Sequence, residues 1–300
     1  AGPWQLGVYN DDSIPGLSEM TKTVHDNGGK IILQLAHAGY HAGSKLTGEL
    51  PVSPSAVEGM AKFSSEALTT QGIQQIVSAF ADAATRAKTA GFDGVQIHAA
   101  HGYLLSQFLS PIYNHRTDEY GGSIQNRARA ILDVLRAIRQ KVGSDFPVLI
   151  KLNCQDFYDN GLILSDALQV GEMLVEEGID AIELSGGLLI GKKLSPSRMG
   201  IHSPDKEAYF RDEAKAFKAT VNVPLILVGG NRSLEVAEQI ISNGMADYIS
   251  ICRPLIREPG LVNRWKSGDR SKAECLSDNK CFGPAMSGKG IYCVMLERDH

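Results

Sequence analysis

The amino-acid sequence predicts a parallel α/β fold, a (β/α)8 TIM barrel with about six of its eight strand–helix units present. Three observations lead there. Short β-branched runs alternate with longer stretches of helical periodicity, the pattern of parallel strands joined by crossover helices. Polar residues collect where strands give way to loops, at Gln34, His98, Lys151, Asn153, Glu183, Gly229 and Arg253, as they do on the C-terminal rim of a barrel. The chain has no break into halves and no GxGxxG turn after its first strand, which weakens the rival doubly wound sheet.

In chain order, the opening AGPWQLGVYNDD reads as a loop leading into a helix. The strand candidates are KIILQL (30–35), GVQIHA (94–99), PVLIKLN (147–153), DAIELSG (180–186), PLILVGG (224–230) and DYISICR (247–253). Most are nearly continuous apolar runs, suited to burial on both faces. Between them, GIQQIVSAFADAATRAKTAG (72–91) carries Ile73, Ile76, Val77, Phe80, Ala84 and Ala87 on one stripe and stops at Gly91. SIQNRARAILDVLRAIRQKVG (123–143) opens on a capping candidate, Ser123, and stops at Gly143. SDALQVGEMLVEEG (165–178) and SLEVAEQIISNG (233–244) repeat the device. Only six strands are counted where a closed barrel needs eight, so about two strand units are expected ahead of Ala1. Residues 1–265 form the expected barrel and residues 266–300 a cysteine-containing extension.

At 300 residues, 43% hydrophobic and 21% charged, the chain has the make-up of a globular protein with one large core. Its formal charge of −4 offers no electrostatic footprint for nucleic acid or an anionic membrane. No apolar run is long enough to span a bilayer and no basic-then-apolar leader opens the chain, so a cytoplasmic location is expected. Self-association into a homo-oligomer is compatible with these features. Five cysteines, an odd number, argue against a secreted disulfide framework, and Cys275, Cys281 and Cys293 crowd the extension.

The stretch QIHAAHGYLL (96–105) sets two imidazoles and a phenol at the end of an apolar strand. His98 alone would read as a hydrogen-bonded core histidine. With His101 and Tyr103 close behind it, packing absorbs the three rings poorly. Zinc is a rival reading, although no third strong ligand stands at metal spacing. Lys151 within VLIKLN is a cation that is costly to bury without a partner, and Gln34 is an amide with the same need. Gly229 and Gly230 permit close backbone approach, and Asn231 and Arg253 offer an amide and a guanidinium to an anion. Glycine pairs by themselves often only mark turns.

The run SQFLSPIYNHRTDEYGGSIQNRARAILDVL (106–135) resembles the FLxPxxNxRxDxYGGSxxNRxR signature of the Old Yellow Enzyme group of FMN-dependent NAD(P)H:flavin oxidoreductases, at every fixed position. GGKIILQLAHAG (28–39), HAAHGYLLSQFLSP (98–111), VGGN (228–231) and ICRPLIREP (251–259) extend the resemblance over residues 5–265 in family order. It implies a barrel holding FMN, NADH or NADPH as reductant, and an α,β-unsaturated carbonyl compound as acceptor. It implies that His98 and His101 donate to the substrate's carbonyl oxygen, where negative charge gathers as hydride reaches the β-carbon. Tyr103 matches the residue that delivers a proton to the α-carbon. Gln34 falls to the flavin's pyrimidine edge and Lys151, where many relatives have Arg, to the N1–C2 edge. Gly229, Gly230, Asn231, Cys252 and Arg253 fall to the phosphate, Cys252 standing where relatives usually carry Gly. Asn114, Arg116, Asp118 and Arg127 read as a lattice bracing the loop after the fourth barrel strand.

CLSDNKCFGPAMSGKGIYCV (275–294) resembles the C-x2-C-x2-C-x11-C run of the trimethylamine dehydrogenase and 2,4-dienoyl-CoA reductase branch, which holds a [4Fe–4S] cluster. Asp278 stands at the second ligand position, so metal-free thiols are expected ahead of an intact cluster. The chain also stops short of the nucleotide-binding domains of those larger relatives, so electrons are expected from a nicotinamide meeting the FMN or from a partner protein. An oxidative dehydrogenase or demethylase feeding a cluster, and a flavin-free incomplete barrel acting as a scaffold, stay open as alternatives.

Overall fold

Every second residue of the central strands is apolar and fully buried: Val95, Ile97 and Ala99, then Val148, Ile150 and Leu152, then Ile182 and Leu184, then Leu225 and Leu227. That period of two puts them on one face of a sheet. The structure is a computed structural model that describes residues 5–56 and 64–296. Parts of the expected opening loop and extension therefore lie outside the described residues. The strands are β1 (Ile32–Leu35), β2 (Val52–Ser53), β3 (Glu66–Ala67), β4 (Gly94–Ala99), β5 (Val148–Asn153), β6 (Ala181–Ser185), β7 (Leu225–Leu227) and β8 (Tyr248–Ile249). Six of them form one parallel sheet in the order β1-β4-β5-β6-β7-β8, with β1 and β8 at its ends. β2 and β3, which the sequence reading did not foresee, form a separate parallel pair.

The helices are α1 (Ile14–Asp26), α2 (Ser44–Thr47), α3 (Thr70–Thr89), α4 (Leu104–Leu109), α5 (Ile124–Val142), α6 (Leu164–Glu176), α7 (Arg211–Thr220), α8 (Leu234–Ser242), α9 (Arg253–Arg257), α10 (Leu261–Lys266) and α11 (Phe282–Met286). Ile73, Val77 and Phe80 of α3, Ile131, Leu135 and Ile138 of α5, Leu174 of α6 and Phe217 of α7 join the apolar strand face in one core. Each such side chain stabilises the fold by about 1.5–3 kcal/mol through burial. Ser123 caps α5 as expected, accepting from Asn126 N at 3.4 Å. The other starts differ. Thr69 caps α3, accepting from Gly72 N at 3.0 Å. Ser165 and Asp166 lie inside α6, behind an N-cap of Ile163, and Asp166 is turned to Arg127 instead. Ser233 precedes α8 but donates its hydroxyl to Glu207 at 2.5 Å.

The central strands are buried on both faces, as expected, but only one of those faces is apolar. Gln96, His98, Lys151, Asn153, Glu183 and Ser185 occupy the alternate positions and so share the face turned away from the helices. The signature lattice holds the rim in place beside them. Asn114 Nδ2 donates to the carbonyls of Phe108 (2.7 Å) and Tyr120 (2.8 Å). Arg116 pairs with Asp118 and donates to Pro54 O at 2.7 Å. Arg127 reaches Asp166 at 2.5 Å and the Leu109 carbonyl, tying α5 to the end of α4 and the start of α6.

Candidate active site

Strand register sets the polar face. Gln34 pairs with Gln96, His98 with Lys151, and Lys151 with Glu183, so these side chains stand side by side across four neighbouring strands. Gln34 Nε2 donates to Gln96 Oε1 at 2.6 Å, and Gln96 Nε2 donates to Glu183 Oε2 at 2.8 Å. Lys151 Nζ lies 3.2 Å from the same carboxylate oxygen. The cation therefore has the partner that its place in the strand requires. Gln34 is exposed, not the buried amide expected from its apolar neighbours, because β1 is an end strand.

The three rings meet at the C-terminal end of β4. The His98 ring centroid is 5.2 Å from that of His101 and 5.0 Å from that of Tyr103, both edge-on. His98 Nδ1 accepts from Ala100 N at 3.3 Å, so the neutral ring carries its proton on Nε2. His101 takes a left-handed φ of 66°, uncommon for a residue with a side chain. Asn153 Oδ1 holds that turn by accepting from His101 N at 3.0 Å, and Ser185 Oγ lies 2.7 Å from His101 Nε2. Tyr103 then sits half-buried at the start of α4.

Burial lowers the His98 pKa to about 3, with the Lys151 charge adding to it, and burial likewise lowers His101. Both rings are therefore neutral across ordinary pH, and His98 keeps an N–H on Nε2. The sign for stability follows. The unfolded chain takes up a proton near 6.5 while folded His98 refuses one until about 3, so stability is intact above 6.5 and lost below it. The expected slope is about 1.4 kcal/mol per pH unit from His98 alone. Urea unfolding at pH 7 and pH 5 should show His98→Asn losing about 2 kcal/mol less than the wild type over that interval. Equal losses would remove the argument.

At the ends of β7 and β8, Gly229 and Gly230 take φ of 135° and 76°, a backbone path that side chains disfavour. A Cβ on Gly230 would also meet the Tyr209 ring at 2.8 Å. Asn231 does not offer its amide outward as expected. Its Nδ2 donates to Leu227 O (2.8 Å) and Ser250 O (3.0 Å), bracing the two strand ends against each other. Cys252 is exposed and precedes α9, and Arg253 Nη1 donates to Arg198 O (3.0 Å) and Asn279 Oδ1 (2.6 Å). Arg253 thus ties the loop after β8 to the extension.

The extension closes a cavity of about 690 Å³ lined by Arg253, Cys275, Asp278, Cys281 and Cys293 among others. Yet among the described residues no three His, Cys, Asp or Glu side chains are arranged to hold a metal ion. The described cysteine positions do not fit an iron–sulfur cluster in this arrangement.

Asn153 and Ser185 hold His101, and Gln96 and Glu183 link Gln34 to Lys151. The sequence reading gave none of the four a role. Asn153 and Glu183 were visible as polar strand ends, but their partners depend on register. His41 was missed altogether. Its ring stands 6.1 Å from Tyr103, edge-on, and burial lowers its pKa. The signal was the cluster of rings in AHAGYH after the first strand.

Residues 2–272 match the family model described as the NADH:flavin oxidoreductase / NADH oxidase family. The chain is 37% identical over 285 residues to the NADH oxidase of Thermoanaerobacter brockii, covering 93% of this chain and 43% of that protein. It is 38% identical over 258 residues to the NADPH dehydrogenase of Bacillus velezensis, covering 85% and 71%. An old yellow enzyme homologue from Zymomonas mobilis has a similar structure, with a TM-score of 0.76 at 27% identity, covering 92% of this chain and 78% of that one. The chain spans less than half the length of the T. brockii relative.

Proposed function

The chain belongs to the NADH:flavin oxidoreductase / NADH oxidase family, and from that premise we propose that it is an FMN-dependent oxidoreductase passing reducing equivalents from NADH or NADPH to an α,β-unsaturated carbonyl compound or a related electrophile. The observation that carries this reading is the group formed by Lys151, His98 and Tyr103 toward the C-terminal ends of β4 and β5. A cation, a neutral imidazole donor and a phenol are the three groups the reaction needs from the protein.

The donor set fits FMN. Gln34, exposed and anchored through one amide hydrogen, keeps its carbonyl oxygen for the N–H of the ring's pyrimidine edge. Lys151 supports this edge by placing positive charge where the ring gains electrons. Arg253, with the backbone of Gly229, Gly230 and Cys252, suits the phosphate, while the Asn231 donors are already spent within the fold. Bound FMN would supply the two-electron, hydride-level chemistry that links the nicotinamide to the substrate's β-carbon. His98 donates from Nε2 to the substrate's carbonyl oxygen and His101 orients beside it, so negative charge growing on that oxygen meets donors already in place. Tyr103 holds the proton destined for the α-carbon at its phenol oxygen.

The same reading divides the chain into a flavin barrel over residues 1–265 and an extension over residues 266–300. None of the described helices is long and apolar enough to cross a membrane. A cytoplasmic enzyme acting on small molecules suits that observation. The purified protein should be yellow, its flavin absorbance bleached by NADH or NADPH without oxygen and restored by an enone. A colourless protein that leaves the fluorescence of added FMN unquenched would overturn the proposal.

A further inference from the structure

The sheet face that carries Lys151 also carries a carboxylate that the proposed reaction does not use. Glu183 is 6% exposed, and its register partner on β5 is Lys151. Its Oε2 lies 3.2 Å from the Lys151 ammonium and accepts from Gln96 Nε2 at 2.8 Å. Its Oε1 is buried with no hydrogen-bond partner. An ionised group held this way is costly to keep in a fold, and an apolar residue would pack there without that cost.

An ionised carboxylate only accepts hydrogen bonds. Gln96 must therefore turn its NH2 toward Glu183 and its oxygen toward β1, where Gln34 Nε2 donates to it at 2.6 Å. One carboxylate thus dictates which way two successive carboxamides face. It also stands against the cation on the neighbouring strand, so the field above Lys151 is that of a partly compensated charge.

We infer that Glu183 is a positioning residue that acts through its two neighbours. Through Gln96 it fixes the orientation of the Gln34 carboxamide, and through Lys151 it lowers the reduction potential of the flavin held against them. This rests on the FMN reading above. A ring that gains negative charge on two-electron reduction is stabilised by a nearby cation, and a carboxylate beside that cation takes part of the stabilisation away.

Glu183→Gln keeps the shape and removes the charge. Equilibrium titration of the FMN-loaded variant against a reference dye should show its reduction equilibrium shifted at least tenfold toward the reduced flavin, about 30 mV for a two-electron couple. Glu183→Asp, which keeps the charge, should return close to the wild-type potential. A Glu183→Gln protein with FMN bound and an unchanged potential overturns the inference and leaves the FMN reading standing. A wild-type protein that binds no FMN removes both. Should Glu183→Gln not fold, Gln96→Met carries the test, because it cuts the link to Gln34 and leaves Glu183 to Lys151 alone. FMN should then bind about tenfold more weakly, the loss of one well-made hydrogen bond, and the potential should fall. Unchanged affinity and potential in that variant overturn the inference as well.

Discussion

Tyr103→Phe is expected to slow reduction of an enone by the reduced protein about 10²–10⁴-fold while leaving the preceding reaction with NADH or NADPH at its wild-type rate. The substitution removes one oxygen from a half-buried ring that packs edge-on against His98 at 5.0 Å, so the packing that holds the ring is kept. Burial pushes the phenol above its ordinary pKa of 10, which keeps the proton on the oxygen through neutral and mildly alkaline pH. The slow step should accordingly show no loss on the alkaline side until pH passes 10, and that limb should vanish in the Phe variant. Anaerobic rapid mixing separates the two half-reactions. If both slow equally, Tyr103 shapes the pocket and does not deliver the proton.

The split between what was legible in the sequence and what was not has a physical basis. The six strands of the main sheet could be read because most of them lie in nearly continuous apolar runs set between helical stretches, as in PVLIKLN around β5. β2 and β3 are two residues each, VS and EA, and lie in no apolar run. The rings at 98, 101 and 103 lie close in sequence, so their meeting is a local fact. The partner of Arg127, by contrast, is Asp166, on a different helix, and nothing in either helix announces the other. Asn231 shows the limit most plainly. Beside two glycines and before an arginine it looks like an anion ligand, but its donors join Leu227 to Ser250, a contact that exists only once β7 and β8 are side by side. Glu183 was visible as a polar strand end, and its role came only with the register that sets it against Lys151.

The YGG of the signature gives the largest expected loss of stability, and it distinguishes two glycines that sequence alone cannot. A Cβ on Gly121 would lie 2.1 Å from the Arg116 carbonyl oxygen and 2.6 Å from its carbonyl carbon. Those are backbone atoms, so no side-chain rotation relieves the clash. The loop can only open, and it is closed by contacts that would be lost together: Gly121 N to Asp118 O at 3.1 Å, Asn114 Nδ2 to Tyr120 O at 2.8 Å, and the Arg116–Asp118 pair. Arg116 also holds Pro54 O and Leu68 O, so β2 and β3 would loosen with it. Gly121→Ala should cost about 3 kcal/mol or more, combining steric strain with buried polar groups left unpaired. Gly122 has a φ of 82° and open space around its absent side chain. Gly122→Ala therefore meets only the conformational penalty of a left-handed residue, about 1–2 kcal/mol, and Gly122→Asn less. Urea denaturation of the three variants tests the order. A Gly121→Ala protein as stable as Gly122→Asn would mean that the 116–121 loop is not packed as closely as its backbone contacts require.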